Sequence, residues 1–313
     1  MISDEIRQKI TLLENEISKK IIGQEKLTRD ILIALFSGGH ILLEGVPGLA
    51  KTLCVETLSK VVDLDYKRIQ FTPDLLPSDL VGSKVYENNK FSIKKGPIFS
   101  NLVLADEINR APSKVQSALL EAMAEKQVTI GEKTFQLDSP FMVLATQNPL
   151  EQAGTYSLPE AQLDRFLLKT IVEYPKRDEE LTIMKQYSLE DNVKLEKVFS
   201  PSDIITVQQE IEKVTLSDNI FDYIADIVFL TRDTKFIEKY LSVGASPRAS
   251  ISLVKASKTL AYLQGRDFVL PEDVKEMVFP VLRHRIMLSY EQIAEGITTD
   301  FVIEKILKHI TIK

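Results

Sequence analysis

The residues that most restrict what this chain can become are Ile41-Leu42-Leu43-Glu44-Gly45-Val46-Pro47-Gly48-Leu49-Ala50-Lys51-Thr52-Leu53. A short apolar run, Ile41 to Leu43, ends in a loop with two glycines and a proline, and the loop closes on Lys51-Thr52 ahead of a helical pattern from Leu53 to Val62. Strand, tight loop and helix in that order form the setting of a phosphate-binding loop. Backbone N–H groups of the loop and of the first helical turn then converge on one point, where the helix dipole also favours an anion. Lys51 would reach the β- and γ-phosphates, and the Thr52 hydroxyl would ligate Mg²⁺. The usual pattern places glycine directly before the lysine. Ala50 stands there instead, and its methyl group is tolerated if the residue adopts negative φ. Taken alone, the loop also reads as an ordinary Gly/Pro turn before a helix.

Composition narrows the class. The 313 residues suit two domains at roughly 100–200 residues each, and 44% are hydrophobic, as in a globular protein. A net charge of −6, from 39 basic and 45 acidic side chains without a long run of either sign, argues against a general nucleic-acid surface, leaving room for a local basic loop. One cysteine, Cys54, excludes an internal disulfide and fits a reducing cytosol. Its place after the loop suits a small buried side chain. The N-terminus is charged from Asp4 onward and does not resemble a signal peptide. No stretch of about 18 apolar residues exists to span a membrane, and His40, His284 and His309 are not spaced as a zinc site.

A second informative stretch is Asn101 to Glu107, an apolar run ending in Asp106-Glu107. It reads as a buried parallel strand with acids at its C-terminal end. In a nucleotide site Asp106 would bind Mg²⁺, and Glu107 would orient and polarise water. A helix N-cap is the other reading, which a position about 55 residues after Lys51 disfavours. Phe141 to Thr146 is another buried strand, ending in Gln147-Asn148-Pro149. Asn148 there could position a water nucleophile or simply form a turn before proline. Leu158 to Phe166 is a short helical segment, and its Arg165 is either a surface ion-pairing residue or an arginine lent across a subunit boundary. The remaining first-half elements are helical faces at Ser3 to Ile21 and Lys26 to Phe36, and a strand at Tyr66 to Phe71. A loop follows from Thr72 to Gly82. Val85 to Ile93 reads as a hairpin turning at Asn88-Asn89, Pro112 to Lys126 as a helix, Gln127 to Asp138 as a second hairpin and Leu168 to Val172 as a last strand.

Gly45 to Thr52, Asp106-Glu107, Asn148 and Arg165 occur in the order seen in AAA+ ATPases. The strings GVPGLAKT, DEINRAP, ATQNP and EAQLDRF resemble the MoxR family specifically, in the clade of the magnesium chelatase ATPase subunits. The resemblance spans essentially the whole chain, and members commonly share the alanine at position 50. It implies an α/β fold: an AAA+ P-loop NTPase core with a parallel sheet between helices at 1–190, then an all-helical lid domain at 191–313. Gly45, Val46, Pro47, Gly48, Leu49, Ala50, Lys51 and Thr52, followed by Leu53, would bind ATP; Thr52 and Asp106 would hold Mg²⁺. By the same resemblance Glu107 would complete Walker B, Asn148 would be sensor 1, Arg165 the arginine finger and Arg248, within Gly244 to Ala249, the sensor 2 arginine. Gly23 and Gln24 would lie against the adenine. The hairpins at Val85 to Ile93 and Gln127 to Asp138 resemble the helix-2 insert and the pre-sensor 1 hairpin. Arg110 is a second arginine able to act between subunits.

The second half loses its strand signals after Arg177. Helices are expected at Glu179 to Tyr187, Ser202 to Glu212, Ser217 to Arg232, Pro247 to Leu263, Pro271 to Leu282 and Thr298 to His309. Leu282-Arg283-His284-Arg285-Ile286 reads either as a contact with a neighbouring subunit or as a solvated turn. The resemblance implies a cytoplasmic, Mg²⁺-dependent ATPase in a homo-oligomeric, hexameric ring, remodelling or maturing client proteins that often carry von Willebrand factor A domains. Ala50 keeps open a slow nucleotide-gated assembly adaptor, and a P-loop kinase acting on a small molecule is a third reading.

Overall fold

The computed structural model describes residues 4–87, 89–149, 154–188, 193–233 and 237–310. The chain opens with helices Asp4–Ser18 (α1) and Glu25–Phe36 (α2), then strand Ile41–Glu44 (β1) and helix Lys51–Val61 (α3). Strand Tyr66–Gln70 (β2), helix Pro77–Val81 (α4) and the hairpin Gly82–Glu87 (β3) with Lys90–Lys95 (β4) follow. Next come Leu102–Asp106 (β5), helix Ser113–Glu125 (α5) and a second hairpin, Gln127–Ile130 (β6) with Lys133–Gln136 (β7). Met142–Gln147 (β8), a short helix Glu160–Leu163 (α6) and Leu168–Ile171 (β9) complete the first half. Asn88 of the expected hairpin turn lies outside the described residues; Asn89 sits at φ +59°.

Five strands form one parallel sheet in the order β2-β5-β8-β1-β9. The apolar runs read from sequence are buried on both sheet faces, which is why they do not alternate with polar residues. Ile41, Leu43, Leu102, Leu104 and Met142 point into one apolar cluster with α1, α2 and α3. Leu42, Val103, Ala105, Val143 and Ala145 point into another with α5. His40, just before β1, is buried between these layers. It accepts the Val143 N–H at Nδ1 (3.0 Å) and faces the Met123 carbonyl with Nε2 (3.2 Å), so it is neutral with its proton on Nε2. Burial pulls its pKa down to about 4.

The segment Thr72 to Gly82 differs from the loop expected there, because Pro77–Val81 closes a short helix. Proline at the first helical position costs no hydrogen bond. Asp79 accepts the Leu76 N–H at 2.8 Å, and Leu80 is fully buried beneath it. A single turn is too short to show periodicity.

The second half is helical: Arg177–Ser188 (α7), Pro201–Glu212 (α8), Asp218–Leu230 (α9), Pro247–Leu263 (α10), Pro271–Leu282 (α11), Tyr290–Ala294 (α12) and Thr299–His309 (α13). It also carries a short antiparallel ladder, Leu241–Val243 (β10) with Met287–Leu288 (β11), which no strand pattern announces. Leu253, Ala256 and Leu260 of α10 share the apolar cluster of Leu32, Ile33 and Phe36 from α2. The helical half is therefore seated on the sheet's own flanking helix.

Candidate active site

The C-terminal ends of β1, β5 and β8 open onto a cavity of about 420 Å³. This is where ligands bind in open parallel sheets, at the point where successive connections depart in opposite directions. Pro47, Gly48, Ala50, Lys51, Thr52 and Leu53 line one side, and Asp106, Glu107, Thr146 and Asn148 the other. Gly48 takes φ +87° at no steric cost. Gly45 passes so close to β9 that a Cβ would stand 3.0 Å from the Val172 carbonyl oxygen. Leu49 turns away and is buried in the core, so its side chain anchors the loop.

Ala50 departs from the expectation of negative φ. It caps α3 at φ +56°, ψ +15°, in the left-handed region. Alanine there is disfavoured by about 1–2 kcal/mol. Having no polar side chain, it leaves the first-turn N–H groups of α3 without a side-chain cap. An anion in the cavity is the natural partner for those donors. Lys51 Nζ donates to the Gly45 carbonyl. Burial pulls its pKa down from the usual lysine value, and Asp106 and Glu107 pull it back up.

The acids are held by a network that sequence reasoning missed. The Thr146 hydroxyl donates to Asp106 Oδ1 (2.6 Å) and accepts the Glu107 N–H (2.8 Å). Arg68 on β2 pairs with Asp106 Oδ2, its Nε at 3.1 Å. Gln70, two residues along the same strand face, donates to Glu107 Oε2 at 2.8 Å. Arg110 Nε lies 3.0 Å from the same oxygen. Glu107 is itself at φ +56°, an uncommon conformation that the surrounding hydrogen bonds maintain. Asn148 is buried at the tip of β8 and faces the cavity. The Thr52 hydroxyl and the Asp106 carboxylate offer oxygens that suit a divalent cation held mainly through phosphate oxygens, and the uncapped backbone donors suit the phosphates themselves.

Gly45, Val46 and Leu49 of the loop stand outside the cavity lining, Val46 packed against the core beside Leu49, and so do Arg110, Gly23, Gln24, Arg165 and Arg248. Gly23 sits at φ +70° beside Glu179, and Gln24 Nε2 donates to the Glu173 carbonyl at 3.0 Å. Arg165 Nη1 donates to the Leu120 carbonyl (2.7 Å), while its buried Nε has no partner among the described residues. Arg248 is half exposed, with Nη1 4.0 Å from Asp164 Oδ2. The Leu282 to Ile286 turn is not solvated. Arg283 makes two bonds to Asp300, both 2.7 Å, and one to the Lys169 carbonyl (2.9 Å). His284 Nε2 meets the Phe166 carbonyl (3.0 Å), and Arg285 pairs with Asp164 (2.8 Å). These side chains clamp the helical half to β9 and the segment before it.

Comparison with known proteins agrees with this architecture. Residues 40–168 match the ATPase family associated with various cellular activities (AAA), and residues 234–306 match the AAA lid domain. Chaperone MoxR1 of Mycobacterium tuberculosis is 44% identical, over 95% of this chain and 80% of its own length. The uncharacterized protein YeaC of Bacillus subtilis is also 44% identical, over 95% of this chain and 92% of its own. A crystal structure from Cytophaga hutchinsonii, described only as a candidate ATPase, is 51% identical and superposes with a TM-score of 0.92, covering 98% of this chain and 96% of that one. The chain belongs to the MoxR family of AAA+ ATPases.

Proposed function

We propose that this chain hydrolyses ATP with Mg²⁺ as a ring-forming motor, and that the ring, hexameric in this family's manner, remodels or matures partner proteins in the cytoplasm. The observation carrying the reading is the convergence of Lys51, Thr52, Asp106, Glu107 and Asn148 on one cavity beside an uncapped helix start. Thr52 and Asp106 would hold Mg²⁺, which supplies charge neutralisation of the triphosphate. Lys51 exchanges the Gly45 carbonyl for phosphate oxygens. Glu107, released from Gln70 and Arg110, polarises the attacking water, and Asn148 orients it. Gly23 and Gln24 would border the adenine, and Arg248 would report the γ-phosphate to the lid. Arg165, which lies outside its own subunit's cavity lining, would complete the neighbour's site, with Arg110 as the alternative donor. The name of the mycobacterial relative supports a chaperone-like role, and von Willebrand factor A domain proteins are the proposed clients.

Steady-state hydrolysis measured across protein concentrations tests this. Rate per subunit should climb as rings assemble, and Glu107→Gln should lower kcat by about 10²–10⁴ while nucleotide still binds. A chain that stays monomeric with ATP and Mg²⁺ yet turns over at full rate would refute the motor. The second reading, a slow nucleotide-gated adaptor, draws on the strained Ala50 and on the ion-paired acids. Tight binding with negligible turnover in assembled rings would favour it.

A further inference from the structure

The backbone that carries Arg165 is gripped by the lid on both sides. Arg285 donates from Nε to Asp164 Oδ1 at 2.8 Å, from Nη2 to the Phe166 carbonyl at 2.6 Å and from Nη1 to the Leu167 carbonyl at 3.0 Å. The Ser246 hydroxyl, at the start of α10, donates to the other Asp164 oxygen at 2.8 Å. Arg248 of the same first turn approaches that oxygen to 4.0 Å. Asp164 therefore gathers two separate lid elements onto the residue adjoining Arg165. Arg165 itself is parked: its Nη1 donates to the Leu120 carbonyl of its own subunit's α5, and its Nε is buried with no acceptor among the described residues.

We propose that Asp164 is a positioning residue through which the lid of one subunit sets the reach of its own Arg165 into the neighbouring subunit's site. This rests on the reading of Arg165 as a residue acting across the subunit boundary. Two grips on one carboxylate tie both lid elements to the same stretch of backbone. When Arg248 and the α10 start shift, the Ser246–Asp164 bond shifts with them, and the short backbone link carries the displacement to Arg165. An error of about 1 Å in the placement of a catalytic group can cost on the order of a hundredfold in rate.

Mixed rings test it. Arg165→Ala subunits offer a complete cavity without the arginine, and Glu107→Gln subunits offer the arginine without the general base, so mixing the two should restore hydrolysis. Adding Asp164→Asn to the Glu107→Gln subunit should cut the restored rate by about tenfold to a hundredfold, with nucleotide affinity unchanged. Adding it to the Arg165→Ala subunit should leave the rate within about twofold, because the arginine then comes from the other partner. This asymmetry cannot arise from misfolding, which would act in either position. Equal losses in both placements, or none in the first, would overturn the role of Asp164. Failure of the parent mixture to recover any activity would instead sink the shared-site reading, and this inference with it.

Discussion

The cavity and the lid junction both hold arginine–aspartate pairs, and they use them differently. Arg68 at the cavity leaves 48% of its side chain in solvent while holding Asp106, whereas Arg285 at the junction leaves 2% while holding Asp164. Arg68 spends its donors on two side chains, Asp106 and Gln70. Arg285 spends most of its donors on backbone carbonyls of β9's approach and of α11. Side-chain partners near water can be exchanged when a ligand arrives; buried carbonyls cannot leave without moving the chain. The contrast teaches that the cavity end can trade partners, whereas the lid end holds its partners through the backbone.

Removing Arg285 is the strongest way to break this contrast. Arg285→Ala strips Asp164 Oδ1 and several buried carbonyls of their guanidinium donors, and should cost about 3–5 kcal/mol of unfolding free energy, read by urea denaturation. A loss below 1 kcal/mol would mean the junction is as soft as the cavity. Next is pH, which sharpens the comparison because burial depresses both buried histidines. His40 has a folded value of about 4 against an ordinary 6.5, so only the unfolded chain takes up its proton between them. The stability it contributes is complete above pH 6.5 and drains away as pH falls towards 4. By pH 5 the loss from this residue should be about 2 kcal/mol relative to pH 7, and His40→Gln should flatten that limb. A smaller effect is expected at the strained cap. Ala50→Gly should stabilise the protein by about 1 kcal/mol, visible as a raised melting temperature. The smallest belongs to the exposed pair: Arg68→Ala should change stability by at most about 1 kcal/mol, far below its junction counterpart.

The residues gathered at the cavity were largely legible in sequence because their signals are local. Gly45 to Thr52 and Asp106-Glu107 each combine a fully buried strand with the residues that end it, so a single window holds the whole message. Thr146, Arg68 and Gln70 were missed because each meets its acid from 37 to 40 residues away. Strand order, which sets β2 beside β5 and β5 beside β8, is not written in any one stretch. Arg68 and Gln70 flank the buried Ile69 on an edge strand, a pattern that reads as solvent alternation. The Arg283 to Arg285 turn hid for a similar reason: buried arginines are rare, and the partners Asp300 and Asp164 lie 17 and 121 residues away. The β10–β11 ladder is too short for any period to show.

The apolar cluster beneath the sheet runs without a break from β1 through α2 into α10. Melting should therefore be cooperative across both halves: loosening α10 strips cover from α2, and loosening α2 exposes one face of β1. Slow amide exchange in these three elements would rise together under denaturant, and a cut between core and lid would yield two fragments, each with a bare apolar surface. The lid movement proposed for the ATPase cycle would then have to slide over this shared interior without opening it.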